Sequence, residues 1–172
     1  MTLTISMKKY ILSLILLGAL CTLSSCSDDE GKDMEPPAIC DYPDTDCPTS
    51  CDVFHRGDVI PVRMVFTDNV ELASFVIDIH NNFNHHTHGT TAVECPLNPK
   101  MSDEEIRELE KAKAVWIFTQ DYVIPEGHQT YATSVDITIP EDIYPGDYHF
   151  MVRVRDKAKW EQLKSVSIKI VK

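Results

Sequence analysis

The sequence predicts an all-β fold, an immunoglobulin-like β-sandwich of about seven strands with one short inserted helix. Three observations carry this expectation. Short stretches rich in Val, Ile, Phe and Tyr alternate apolar and polar side chains at a period of two. Clusters of Gly, Pro, Asp and Asn separate them at the spacing of a sandwich. A single segment, 102–113, breaks the pattern with helical spacing.

The elements follow in order. Gly57-Asp58 turns into a β-rich run from Val59 to Phe66, where Pro61 fits only an edge, a bulge or the start of pairing. Thr67-Asp68-Asn69 turns. Ala73 to His80 puts Phe75, Ile77 and Ile79 on one face and Val76, Asp78 and His80 on the other. In 102–113, Ser102 and Glu105 form a capping box, and Ile106, Leu109 and Ala112 recur at helical spacing. Val115 to Val123 returns to strand-forming residues. Tyr131 to Ile139 alternates up to Pro140. Tyr148 to Val154 points Tyr148, Phe150, Val152 and Val154 inward, with His149, Met151, Arg153 and Arg155 outward. Ser165 to Val171 closes the fold.

The N-terminus reads as a targeting segment. Lys8 and Lys9 precede an apolar run from Tyr10 to Leu20, too short for a stable span. It ends at Leu23-Ser24-Ser25-Cys26, which resembles a bacterial lipobox with Cys26 as the lipidated residue; Cys21 fits worse, because Leu20 precedes it. The acidic run Ser27-Asp28-Asp29-Glu30 resembles a surface-export signal. The expected organisation is a lipoprotein signal peptide at 1–25, an acidic flexible tether at 26–39, and the sandwich with a Cys-rich N-terminal loop at 40–172. The expected location is the outer membrane, facing the cell exterior and held by the lipid anchor.

Removing residues 1–25 takes away two lysines and no acids, so the net charge goes from −11 to −13. Such a chain lacks the basic footprint of nucleic-acid binding, and it draws cations towards itself. Outside the cytoplasm Cys40, Cys47, Cys51 and Cys95 are expected to form two disulfides, for which three connectivities exist. The preferred arrangement has one bridge within 40–51 and one from that segment to Cys95.

Four of the seven histidines, His80, His85, His86 and His88, fall within nine residues. Imidazole is the commonest protein ligand for Zn, Cu and Ni, and is neutral enough at pH 7 to coordinate them. In an immunoglobulin-like order the third strand, 73–80, pairs antiparallel with the sixth, 146–155. His80 and His149 should then meet at one end of one sheet face. His85, His86 and His88 would complete the ligand set, with only one of the adjacent His85 and His86 facing the same ion. Asp78, Asn84 and Asp147 are candidates to supply an oxygen ligand or to orient a ring nitrogen. His55 and His128 lie in separate polar turns.

Gly57-Asp58, Thr67-Asp68-Asn69, the run Ile77 to His88, Ile139-Pro140 and Gly146-Asp147-Tyr148-His149-Phe150 together resemble domain-of-unknown-function family 4625. The resemblance spans about residues 35–171, and the histidine motif is its most specific part. It implies a single immunoglobulin-like domain of a Bacteroidota-type lipoprotein with a motif suited to metal. It also implies an Asp where this chain carries Asn84, which weakens an oxygen ligand here. The 40–51 loop and the 102–113 helix look like additions of this chain.

The function expected is capture or buffering of a transition metal at the cell surface, with Zn ahead of Cu or Ni, in contact with an outer-membrane transporter or another surface ligand. The alternative is a cell-surface adhesion or carbohydrate- or protein-binding module in which the histidine run is structural; Trp116, Tyr122 or Trp160 would stack on sugars, although core or edge packing suits these rings better. An enzyme is not expected. Glu94 or Asp78 could serve as a base, but no HExxH, nucleophile elbow or phosphate-cradling Gly loop occurs.

Overall fold

The period-two alternation resolves into strands in a computed structural model, which describes residues 32–40, 46–88 and 94–172. The signal peptide, Cys26 and the acidic run after it lie outside the described residues. The folded unit runs from Asp33 to Lys172. Its strands are β1 (Ala38–Cys40), β2 (Val53–His55), β3 (Val59–Val62), β4 (Val65–Thr67), β5 (Leu72–Asn81), β6 (Phe118–Val123), β7 (Thr130–Ala132), β8 (Val135–Thr138), β9 (Gly146–Asp156) and β10 (Glu161–Val171). One helix, α1 (Asp103–Lys111), sits between β5 and β6.

Five strands form one sheet in the order β2-β10-β9-β5-β6, with β2 parallel to β10 and the other pairs antiparallel. The second layer consists of β1-β4-β7 and the pair β3-β8. Ile60, Val62 and Phe66 from that layer share one core with Ile77, Ile79, Phe150 and Val152 from the first. Phe66 and Phe75 meet across the layers with ring centroids 5.2 Å apart. Each such aliphatic or aromatic side chain contributes about 1.5–3 kcal/mol by leaving water. Together these features make an all-β sandwich.

Two expected strands are each broken in two. The run 59–66 divides into β3 and β4, and 131–139 into β7 and β8, at the same height. Thr133 makes the break: its hydroxyl donates to Val62 O (2.7 Å) and accepts from Met64 N (3.0 Å), while Thr133 N donates to Met64 O (2.8 Å). A buried hydroxyl there replaces a rung of the ladder. Pro61 lies in β3, whose single neighbour in its sheet is β8, so its missing N–H leaves no central rung unmade.

The helix keeps its expected start. Glu105 N donates to Ser102 Oγ, and Ser102 N to Glu105 Oε2. It ends two residues before the expected boundary because Lys113 takes a positive φ of 55°. Lys113 N then reaches Glu110 O and Ala114 N reaches Leu109 O, which satisfies the last carbonyls.

Cys51 and Cys95 form a disulfide, tying the segment before β2 to the loop beyond the histidine run. The second bridge expected within 40–51 is not made. Cys40 and Cys47 remain thiols, and Cys40 Sγ lies in β1 beside Thr67 Oγ1, 3.4 Å away, across the β1–β4 pair. That pairing begins at Ala38, inside the segment expected as tether, and Asp33 and Pro37 are already buried.

Candidate metal centre

The alternation of β5 buries Phe75, Ile77 and Ile79 and turns Asp78 and His80 to the opposite face. Pairing with β9 sets His80 directly opposite His149. Their ring centroids are 5.5 Å apart. After Asn81 the chain folds back over this face. Asn82 N donates to Asp147 O at 2.7 Å. Phe83 drops into the core against Tyr148 and Tyr144, with centroids 5.4 and 5.7 Å away. Its ring lies on Gly146, where a Cβ would come within 2.7 Å of Phe83 Cε1. His85 then takes a positive φ of 56° and reverses the chain. The turn carries His86 and His88 back above His80 and His149.

Three imidazoles converge there. His80 Nε2 lies 3.2 Å from His86 Nε2 and 2.9 Å from His88 Nε2. Nitrogens bound to one Zn at about 2.0–2.1 Å stand roughly 2.9–3.4 Å apart for angles between square-planar and tetrahedral. The opposite nitrogens of two rings are already engaged. His80 Nδ1 donates to Asp78 Oδ1, and Asp78 Oδ2 in turn accepts from Thr119 Oγ1 at 2.6 Å. His86 Nδ1 donates to Asn84 Oδ1 at 2.6 Å. With those protons on Nδ1, the Nε2 atoms of His80 and His86 face each other across 3.2 Å and need a cation between them. His88 can donate one proton into the cluster, which still leaves that pair unbridged. A cation on the three Nε2 atoms removes the conflict, and Asp78 and Asn84 then act as the outer hydrogen-bond partners that ligating histidines usually have.

His149 forms the floor. It is 6% exposed, its ring lies 4.8–5.5 Å from the other three, and its Nε2 donates to His86 O at 3.1 Å. Its Nδ1 is buried with no hydrogen-bond partner. Burial pushes its pKa down to about 4, aided by the neighbouring rings and opposed by the His86 carbonyl. Burial, and then the adjacent imidazoles, also lower His86. His88 is lowered by burial and by His80, against the pull of Asp78. The lowered basicity of His86 and His88, beside the Asp78 carboxylate, keeps ring nitrogens available to a divalent ion.

The open side of the cluster is a pocket of about 310 Å³ lined by Asp78, His80, His88, Thr119, Met151 and Arg153, among others. It opens His80 and His88 to solvent. Met151, expected outward on β9, lines its wall and is only 7% exposed.

Two expected residues do other work. His85 turns away, with its Nε2 on Asn98 O at 3.0 Å, because the reversal at its own backbone points its side chain out of the cluster. Asp147 touches no imidazole. Buried at 3% exposure, it accepts from Asn98 N (2.7 Å) and faces Lys169 Nζ (3.3 Å), while its carbonyl holds Asn82. It braces both flanks of the histidine loop. The roles of Thr119 and of the Phe83–Gly146 contact are not visible in the sequence, since neither belongs to a pattern. His55, expected in a turn, ends β2 beside Asp58, and His128 sits in a turn with Pro125; both lie apart from the cluster.

The described part of the molecule is therefore a β-sandwich with a histidine cluster at one end of its five-stranded sheet. The chain belongs to the family described as Domain of unknown function (DUF4625), whose pattern matches residues 24–171. No curated protein matches it.

Proposed function

We propose that this protein is a surface lipoprotein that captures or buffers a transition-metal ion through His80, His86 and His88. The observation that carries this reading is the approach of His86 Nε2 and His88 Nε2 to within hydrogen-bond distance of His80 Nε2 when two of the three rings have their protons committed elsewhere. An all-nitrogen set with an outer carboxylate suits Zn, then Cu(II) or Ni(II). The open pocket suits an ion that is taken up and passed on, for instance to an outer-membrane transporter. The lipobox at Cys26 and the acids after it support attachment at the cell surface. The glycan-binding alternative loses two of its three rings: Trp116 is buried, and Tyr122 stacks on Phe75 at 4.6 Å.

The test is elemental mass spectrometry of untagged protein after dialysis against trace Zn, Cu and Ni. The comparison is a variant carrying both His80→Ala and His88→Ala. Near-stoichiometric metal in the parent and none in the variant is expected. No metal in either would end the reading.

A further inference from the structure

Three aspartates from segments distant in sequence meet at the opposite end of β5 and β9 from the histidines. Asp33 precedes β1, Asp68 lies in the β4–β5 turn, and Asp156 ends β9. Each offers a carboxylate oxygen, and these oxygens lie within 4.8 Å of one another. Asp156 is 1% exposed and Asp33 9%.

Each carboxylate has one oxygen committed to its own turn. Asp33 Oδ1 accepts from Glu35 N, Asp68 Oδ1 from Val70 N and Glu71 N, and Asp156 Oδ1 from Trp160 N. The other oxygens of Asp68 and Asp156, both Oδ2, are buried with no hydrogen-bond partner. The adjacent Lys157 does not neutralise them, because its ammonium faces Glu71 and Glu126 at 3.6 Å each. An unpaired carboxylate that is 99% buried beside two others is costly. It becomes favourable around a cation, and oxygen-only ligation by carboxylates selects a hard one.

We propose that Asp33, Asp68 and Asp156 form a calcium site, separate from the histidine cluster, that clips the N-terminal segment to the β4–β5 and β9–β10 turns. Calcium fits better than magnesium because three side-chain oxygens, filled out by carbonyls and water, make an irregular set of the kind Ca²⁺ accepts, whereas Mg²⁺ demands near-ideal octahedral geometry. Trp160 marks the site: its backbone N–H binds Asp156, and its indole N–H donates to Asp33 O at 3.1 Å. Seven β residues from His149 to Asp156, at about 3.4 Å each, put roughly 24 Å between the two centres. One can therefore be disabled without touching the other.

The test is terbium luminescence excited through tryptophan, with calcium as competitor, alongside calcium-dependent thermal unfolding. The parent is expected to show sensitised emission that calcium removes with a Kd of about 10⁻⁴–10⁻³ M, the range of extracellular modules. Its unfolding midpoint should rise with calcium. Asp68→Asn and Asp156→Asn keep the turn hydrogen bonds, so both should fold, with a metal-free midpoint no lower than the parent's. Each should lose the calcium-dependent rise and weaken competition by about tenfold or more. The combined His80→Ala/His88→Ala variant should keep both signals. The proposal is overturned by absent emission in the parent, by emission unchanged in both Asp variants, or by magnesium competing as well as calcium.

Discussion

His149 Nε2 donates to the carbonyl oxygen of His86 at 3.1 Å, so a residue on β9 holds down the loop that carries His86 and His88. This bond fastens the loop to the sheet, while His149 Nδ1 stays buried without a hydrogen-bond partner. His149→Phe should leave the part-buried His86 O without this donor. The expected cost is about 1–3 kcal/mol, together with weakened metal retention. Urea unfolding of the metal-free protein and metal titration check the two effects.

The two adjacent histidines should behave oppositely. His85→Ala should leave metal affinity unchanged, since its ring binds Asn98 O outside the cluster. His86→Ala removes a convergent nitrogen and should abolish stoichiometric binding. Equal effects in a competition titration with a zinc chelator would contradict the arrangement.

Asp78 touches the proposed ion only through His80. Asp78→Asn keeps the shape but loses the charge that favours the Nδ1–H tautomer of His80. Metal affinity should fall by about 10–100-fold with little change in fold. Circular dichroism beside the metal titration separates the two outcomes.

Metal-free protein should lose stability as pH falls. His149 has its pKa lowered from 6.5 to about 4 in the folded state, so between those values the unfolded chain binds more protons. Stability then rises with pH through this window, and its full contribution is present above about 6.5. The expected loss on acidification to about pH 4 is about 3 kcal/mol from this residue. Denaturant unfolding between pH 4 and 7 of the parent and of His149→Phe measures it; parallel curves would refute the assignment.

Gly146→Ala should disturb the site from within the core. The new methyl would meet Phe83 Cε1 at 2.7 Å, and that ring is confined between Tyr144 and Tyr148. Overpacking of this kind costs about 1–3 kcal/mol. Because Phe83 anchors the histidine loop, metal affinity should fall as well. A thermal shift with unaltered affinity would separate the anchor from the site.

Much of this was legible in the chain. The alternation in 73–80 and 148–154 gave the inner and outer faces, and the immunoglobulin-like strand order brought His80 opposite His149 as the register has it. The capping box at Ser102 gave the helix start. The division of 59–66 and 131–139 was not legible, because one buried hydroxyl, that of Thr133, decides it. The thiols of Cys40 and Cys47 were equally hidden, since spacing alone gives no distance between sulfurs.

Local pattern by itself determined the fold class, the face on which each strand residue sits and the presence of an imidazole-rich loop, because these follow from side-chain periodicity and composition. Only the tertiary structure decided which rings converge. That choice depends on the reversal at His85, on Phe83 seated against Gly146 and on Asp147 bracing the loop. It also assembled Asp33, Asp68 and Asp156, since residues so far apart in sequence become neighbours only when paired strands carry their turns to the same end of the sheet.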